Sequence, residues 1–377
     1  MKDLALYVHI PFCKSKCKYC DFCSFQNKDE LIEKYVDALC LEINSYKEKM
    51  TEFNVKTIYI GGGTPSYIQE EYIEKIVRTI ENNFCISSNI EFSIEVNPGT
   101  VTERKFDLYK TLGINRISFG LQSTNDTILN ELGRIHTFEE FYSNFELARK
   151  KGFNNISIDL MFGLPNQTME IWNETLCKIN ELKPEHVSAY SLKVEENTLF
   201  YKLYQENKLK LPTEELERHM YHECINRLKS FGYNQYEISN FSITGYESKH
   251  NISYWERKDY LGVGLNAASC INDIRFSNET DIEKYVINSP KNIVIYKEEL
   301  DKKEILNERI MLNLRMLKGV DIDLLFYEYD DILKKKFNKN MEYLIKIGLI
   351  EKNKNIIKLT TRGIDLSNQV FIKLMDI

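Results

Sequence analysis

The chain has 377 residues, 43% hydrophobic and 28% charged, with 16 Gly and 7 Pro; this balance excludes a collagenous, coiled-coil or disordered chain, and the length suits one large domain plus a small one. Fifty basic against 56 acidic residues leave a net charge of −6, which argues against a protein whose main business is gripping nucleic acid through its phosphates. No apolar run approaches the roughly 18 residues of a membrane span, and nine cysteines, four of them crowded between positions 13 and 23, are not spread like a secreted disulfide framework. The expectation is a cytoplasmic protein with reduced thiols, its cysteine cluster reserved for a metal.

Short apolar, β-branched runs at 4–10, 55–60, 90–96, 116–120, 156–161 and 186–190 read as strands, and helical periodicity fills 30–47, 70–83 and 168–182 between them. Strand and helix alternating about every 30 residues indicate parallel βα units. The expected fold class is therefore α/β, a partial (β/α)6 barrel with its chemistry at the C-terminal strand ends. Further along, a helix is expected over 214–230 and a strand near 233–238. The polar, lysine-rich stretch 289–304 divides the chain into a barrel with its extension, 1–288, and a small domain, 289–377. Three helical patterns and a hairpin over 349–360 give that small domain a winged-helix-like pattern. Its hairpin carries lysines, a feature of DNA-binding wings, yet Asp321, Asp323, Glu328, Asp330 and Asp331 interrupt any basic face. No nucleic-acid partner is expected.

Candidate chemistry gathers where strands end. Cys13, Cys17 and Cys20 stand as C-x3-C-x2-C in the loop after the first strand. Three thiolates on one short loop can take three corners of an iron–sulfur cluster and leave the fourth iron open. Zinc competes for such ligands, but a closed structural zinc site needs a fourth ligand, usually from a distant second pair, and no other Cys or His pair here has that spacing. Unliganded thiols are the plain alternative, disfavoured because free cysteine prefers burial and this loop is studded with lysines. Cys23 is read as a bystander. Gly61 to Pro65 follow the second strand; such glycines let a ligand approach the backbone, although ordinary turn chemistry asks for the same residues. Asp159 stands in an otherwise apolar strand and needs a partner, a ribose hydroxyl or a cation. For Glu95 and Arg134, a salt bridge between neighbouring strand ends is the plain structural alternative to ligand contact. The single cysteines 40, 85, 177, 224 and 270 are assigned to packing.

The segment YVHIPFCKSKCKYCDF, with Tyr7 six residues before Cys13 and Tyr19 just before Cys20, resembles the radical S-adenosylmethionine (SAM) signature, specifically that of the oxygen-independent coproporphyrinogen III oxidase family. The likeness runs from Leu6 to about Ser269 and continues weakly beyond. It implies a 4Fe–4S cluster on Cys13, Cys17 and Cys20, its open iron chelated by the amino and carboxylate groups of SAM. It further implies that Gly62, Gly63 and Thr64 meet the methionine end of that cofactor. Glu95 in IEVNP, Gln122 in SFGLQS, Arg134 in LGRIH and Asp159 in SIDLMFGLP fall where the family contacts SAM, with Tyr7 and Tyr19 flanking the cluster loop.

That family has two branches. The oxidase branch oxidatively decarboxylates two propionates of coproporphyrinogen III through a 5′-deoxyadenosyl radical; it carries an N-terminal extension and a fourth cysteine as C-x-C. Here twelve residues precede Cys13, and Cys20 is followed by Asp21, Phe22 and Cys23. The Y-C-D-F sequence instead resembles the HemW-type heme-chaperone branch, as do YEISNF, DYLGVGLNAAS and HNISYW at His250 to Trp255. Cys23, and Leu265-Asn266 in place of small residues, depart from the branch pattern. In HNISYW the resemblance implies heme binding: His250 as axial ligand, Tyr254 and Trp255 against the macrocycle, and Lys249 near a propionate. A lone histidine beside aromatics is, on its own, more often structural. The expected function is transfer of heme to heme-accepting apoproteins, with a reductant serving the cluster. Homodimer formation and transient contact with membrane-bound heme proteins stay open, and coproporphyrinogen III oxidase activity is the rival, which leaves the question of enzyme activity undecided.

Overall fold

Six parallel strands lie side by side in chain order in the computed structural model, which describes residues 1–376: β1 Lys2–Ile10, β2 Phe53–Gly62, β3 Ile86–Val96, β4 Arg116–Gln122, β5 Ile156–Phe162 and β6 His186–Ser191. The crossovers carry α1 Ile32–Ser45, α2 Glu70–Asn83, α3 Glu103–Thr111, α4 Asp126–Leu132, α5 Phe138–Lys150 and α6 Met169–Leu182. All six strands were legible as alternating runs. Each extends one to four residues beyond its run in all, because inter-strand bonding does not stop where the β-branched pattern does. Threonine caps set several helix starts, Thr168 before α6 among them, and Thr137 forms a capping box with Glu140 before α5.

Successive side chains on a strand point to opposite faces. Leu6, Val8, Ile58, Ile60, Phe92, Ile94, Ile117, Phe119, Ile158 and Leu160 join one core cluster with the buried faces of the helices. The alternate positions, among them Tyr7, Tyr59, Glu95, Ser118, Asp159 and Tyr190, line the inside of the curved sheet and are largely polar. The barrel is open: strand order runs from one free edge to the other without closing.

After β6 come α7 Leu199–Gln205 and α8 Glu214–Ser230. The strand expected over 233–238 shrinks to β7 Asn234–Gln235, paired with β8 Asn240–Ser242. Glu237 is wholly buried there and its carboxylate accepts the Ser239 amide, a turn that ends the strand. Helix α9 Lys249–Trp255 then leads into β9 Tyr260–Val263, which runs parallel beside β1 and extends the sheet on that side. The antiparallel strands β10 Ala268–Ile271 and β11 Ile274–Asn278 follow, then α10 Ile282–Asn288 and β12 Val294–Glu299, the outermost strand. The sheet thus runs past residue 288 into the lysine-rich stretch. A second, separate core begins at Leu306. It joins α11 Lys302–Asn313, α12 Ile322–Leu325, α13 Asp331–Lys346 and two C-terminal helices to a three-stranded sheet of β13 Val320–Asp321, β14 Ile350–Asn353 and β15 Ile356–Leu359. The result is the small winged-helix-like domain. Among the described residues no helix is long and apolar enough to cross a membrane.

One buried carboxylate ties the β9–β10 turn to the barrel. Glu42 on α1 is fully buried and accepts hydrogen bonds from the Gly264 amide (2.9 Å), the Asn278 side chain (2.7 Å) and the Tyr285 hydroxyl. Burial pushes its carboxyl up to about 7 against these three opposing donors. Tyr35 extends the network, donating to the carbonyl of His9 at the end of β1. Replacing Glu42 by Ala strands buried donors and should cost about 3 kcal/mol. A denaturant midpoint matching that of the wild type would show that the network carries no net stability.

Candidate functional site

The cysteine loop leaves β1 at Ile10 and is held shut at its base by Cys13 N–H donating to Phe25 (2.9 Å) and Phe25 N–H donating to Pro11 (2.7 Å). Cys13 is buried, while Cys17 and Cys20 are half-buried. Each expected ligand has its own surroundings. The Thr64 hydroxyl donates to Cys13 Sγ (3.5 Å), Arg134 Nη1 donates to Cys17 Sγ (3.4 Å), and the Cys20 amide donates to the Cys17 carbonyl (3.2 Å). Burial raises the Cys13 and Cys20 thiols above their ordinary range. Among the described residues no three His, Cys, Asp or Glu side chains converge on a single metal ion. A 4Fe–4S cluster asks for something else, one thiolate on each of three separate irons, and three soft donors within eight residues, with an O–H directed at the sulfur of Cys13 and an N–H at that of Cys17, fit it.

The Gly-rich turn packs directly against this loop. Gly62, at φ +117°, lies under the His9 ring, where an added Cβ would stand 2.7 Å from the imidazole; one on Gly63 would stand 2.9 Å from Cys13 Sγ and 2.9 Å from the Phe12 carbonyl. Here glycine is a requirement of contact, beyond plain turn chemistry. The Gly62 amide donates to Glu95 (3.1 Å), whose other oxygen accepts from the Tyr59 hydroxyl (2.9 Å). Burial and then the nearby charge of Asp159 push the Glu95 carboxyl up to about 7. The salt bridge between Glu95 and Arg134 that the isolated residues suggested is not formed. Arg134 instead donates to the Asn97 side chain, the Gly120 carbonyl and Cys17 Sγ, and its Nε is buried without a hydrogen-bond partner among the described residues.

Gln122 sits at the end of β4 in the left-handed region, φ +71°, with its side chain accepting from the Tyr190 hydroxyl (3.0 Å). A non-glycine residue held there marks a backbone fixed by its surroundings. Asp159 lies in register with Gly120 on the neighbouring strand, held by the Ser118 hydroxyl (3.2 Å), its carboxyl raised by burial. Tyr7 is hydrogen-bonded to His9 (2.9 Å) and stacks on Tyr59, and Tyr19 packs against Phe200. The expected residues of the cluster loop, the glycine turn and the strand ends therefore gather at one mouth. Sequence reasoning missed His9, Tyr59, Asn97 and Tyr190. The signals were there: His9 ends a strand beside the cysteines, Asn97 follows the third strand, and the two tyrosines hold inward positions of their strands.

The HNISYW segment lies deeper in the barrel, beneath Tyr59. Helix α9 packs on β2 from within, with the His250 ring stacked on Tyr59 and joined to Thr57. Thr57 lies four residues before Gly61, roughly 13 Å along the strand at about 3.3 Å per residue. The helix closes the barrel at its floor, opposite the mouth. His250, the axial ligand that the resemblance implies, is 1% exposed, with Nδ1 hydrogen-bonded to Thr57 (2.8 Å) and Nε2 to Tyr254 (2.9 Å). Burial lowers its pKa to about 3, so the ring is neutral and both nitrogens are committed. Its amide and that of Lys249 donate to Glu91. Trp255 is likewise engaged with the small domain, its ring under Arg315 (4.5 Å) and its carbonyl accepting from Asn313 (2.7 Å). Cys23 is half-buried, 3.8 Å from the Thr280 carbonyl. Of the cysteines assigned to packing, Cys40, Cys224 and Cys270 are buried, but Cys85 and Cys177 are exposed; Cys177 occupies the solvent-facing side of α6, which its apolar neighbours in sequence concealed.

An open parallel barrel with three cysteines in its first loop defines a radical SAM protein. The Radical SAM superfamily model matches residues 7–177 and the HemN C-terminal domain model matches residues 300–366. Heme chaperone HemW of Lactococcus lactis subsp. lactis is 36% identical over 99% of this chain and 98% of its own, and heme chaperone HemW of Bacillus subtilis is 37% identical over 97% of each. Among solved structures, the radical SAM enzyme coproporphyrinogen III oxidase (HemN) of Escherichia coli superposes with a TM-score of 0.87 at 25% identity, covering all of this chain and 90% of that one. The chain belongs to the radical SAM coproporphyrinogen oxidase family, on its HemW branch. Membership implies a 4Fe–4S cluster and SAM.

The contact between turn and loop is open to test. Gly63→Ala drives a methyl group into Cys13 Sγ and the Phe12 carbonyl, so the reconstituted variant should lose most of its iron and sulfide while its far-ultraviolet dichroism stays that of the wild type. Full iron content in a folded variant would show that the loop yields instead.

Proposed function

We propose that the protein is a cytoplasmic heme chaperone. It holds a 4Fe–4S cluster on Cys13, Cys17 and Cys20, binds SAM at the barrel mouth, and takes up heme at the α9 floor for delivery to heme-accepting apoproteins. The observation that carries this reading is near full-length likeness to proteins named heme chaperone HemW. The polar mouth supports it chemically. Glu95 offers a carboxylate for an ammonium group, Arg134 a guanidinium with a spare N–H for a carboxylate, and the glycine turn close backbone approach. Asp159, held by the hydroxyls of Ser118 and Ser188 on the flanking strands, has lone pairs left for ribose hydroxyls. When bound, a reduced cluster would supply an electron to SAM; the residues described here orient the cofactor and exclude water from it, and a redox partner is needed to reduce the cluster.

At the floor, His250 is not preset as an axial ligand. Its imidazole reaches iron once the Tyr254 hydroxyl has left Nε2, so heme uptake includes a side-chain exchange at α9. Hemin titrated anaerobically into the reconstituted protein should give the shifted Soret band of coordinated iron. Tyr254→Phe, which frees Nε2 without opening the packing, should raise hemin affinity severalfold, whereas Cys13→Ala should abolish the iron–sulfur chromophore. Unchanged affinity in Tyr254→Phe would leave His250 a structural residue, and an unshifted spectrum in the wild type would remove the heme reading altogether.

A further inference from the structure

The underside of the barrel has a cavity of its own. Between α9 and the first residues of β1 and β2 lies a space of about 290 Å³, walled by Leu4, Ala5 and Ile252 and backed by Thr57. Lys56, Lys249 and Lys258 stand on its rim, and Asn89 and Ser253 supply neutral hydrogen-bonding groups. Asp3 also lines it, 3.7 Å from Lys56, and Lys258 pairs outward with Glu256 at 2.8 Å. Lys249 takes part in no ion pair among the described residues. Lys56 is paired with Asp3 and Lys258 with Glu256, so the rim ammonium group left without an ion pair among the described residues is that of Lys249, and the walls are apolar. That pairing of an apolar body with a positive rim is the complement of an amphipathic anion.

Resting on the heme-chaperone reading, we propose that this cavity receives the propionate-bearing edge of heme, with Lys56, Lys249 and Lys258 holding the carboxylates. The volume is at the lower end of pockets that enclose a drug-sized ligand, about 300 Å³ upward, so it accommodates an edge of the macrocycle and leaves most of the ring outside. The position agrees with this: Thr57 on the cavity wall is the same residue that is hydrogen-bonded to His250 Nδ1, and Lys249 and Ser253 belong to the helix that carries His250 and Tyr254. Lysine ammonium groups act on carboxylates as point charges, stronger where apolar walls exclude water. The cavity lies across the barrel from the cysteine mouth, so occupancy by heme and occupancy by SAM do not compete for space.

The test is a hemin titration of the cluster-loaded wild type and of a Lys249→Glu/Lys258→Glu double variant, with hemin dimethyl ester as the second probe. Both lysines are exposed, so the fold should hold, and the iron–sulfur absorbance and melting temperature check that it does. The double variant should bind hemin at least tenfold more weakly than the wild type. The ester, lacking propionate charge, should bind the two proteins alike and as weakly as hemin binds the variant, and saturating SAM should leave wild-type hemin affinity unchanged. A Lys249→Arg/Lys258→Arg protein should retain wild-type affinity. Equal hemin affinity in wild type and the Glu variant would overturn the floor cavity while leaving the chaperone reading in place; a wild type that binds no hemin would overturn both.

Discussion

Everything at the mouth depends on a sheet that turns its apolar side chains outward and its polar ones inward. Packing Val8, Ile60, Ile94 and Phe119 beneath helices obliges the alternate positions to face the bore, and there the chain places Glu95, Asp159 and the reach of Arg134. Charges removed from water need partners. The carboxylates find hydroxyls and a backbone amide, while Arg134 turns to Asn97, the Gly120 carbonyl and Cys17 Sγ. Because carboxylate and guanidinium do not neutralise each other, each keeps bonding capacity for a ligand that carries both signs. A closed Glu95–Arg134 pair would have left a more self-sufficient and less useful mouth.

The same alternation explains what was legible in the sequence. Parallel strands buried on one face by helices announce themselves as apolar β-branched runs, and helices such as Glu70–Asn83 and Glu214–Ser230 stand where periodicity placed them. The cysteine spacing, the glycine turn and the strand-end polar residues were visible because each lies in a compact motif. Less legible were features made by distant partners. The closure of His250 between Thr57 and Tyr254 depends on a helix returning to the barrel floor nearly two hundred residues after the strand it meets, and no local pattern distinguishes a satisfied histidine from a free one. The polar stretch around Val294–Glu299 joins the sheet only because β11 offers it an edge, and Cys177 is exposed because helix α6 turns that side outward.

The cysteine-lined mouth and the helix-plugged floor meet through Tyr59, whose hydroxyl donates to Glu95 and whose ring stacks on His250. The mouth has the donor set for a cluster and a charged cofactor, and the floor has apolar walls, aromatic rings and lysines. Helix α9 contacts both the strands and, through Trp255 and Arg315, the small domain, so a rearrangement that frees His250 would be felt where the two domains meet.

The most direct measurement is an anaerobic comparison of two reactions in one preparation. Cluster-loaded protein carrying one equivalent of hemin is mixed with a heme-free apo-globin, and the same cluster-loaded protein, with reductant and SAM, is incubated with coproporphyrinogen III. A heme chaperone should pass the heme to the globin, read from the globin's Soret band, and leave coproporphyrinogen III intact. Retention of heme together with formation of protoporphyrinogen IX at an ordinary enzymatic rate, about 1 per second, would contradict the chaperone reading and make the chain an oxidase.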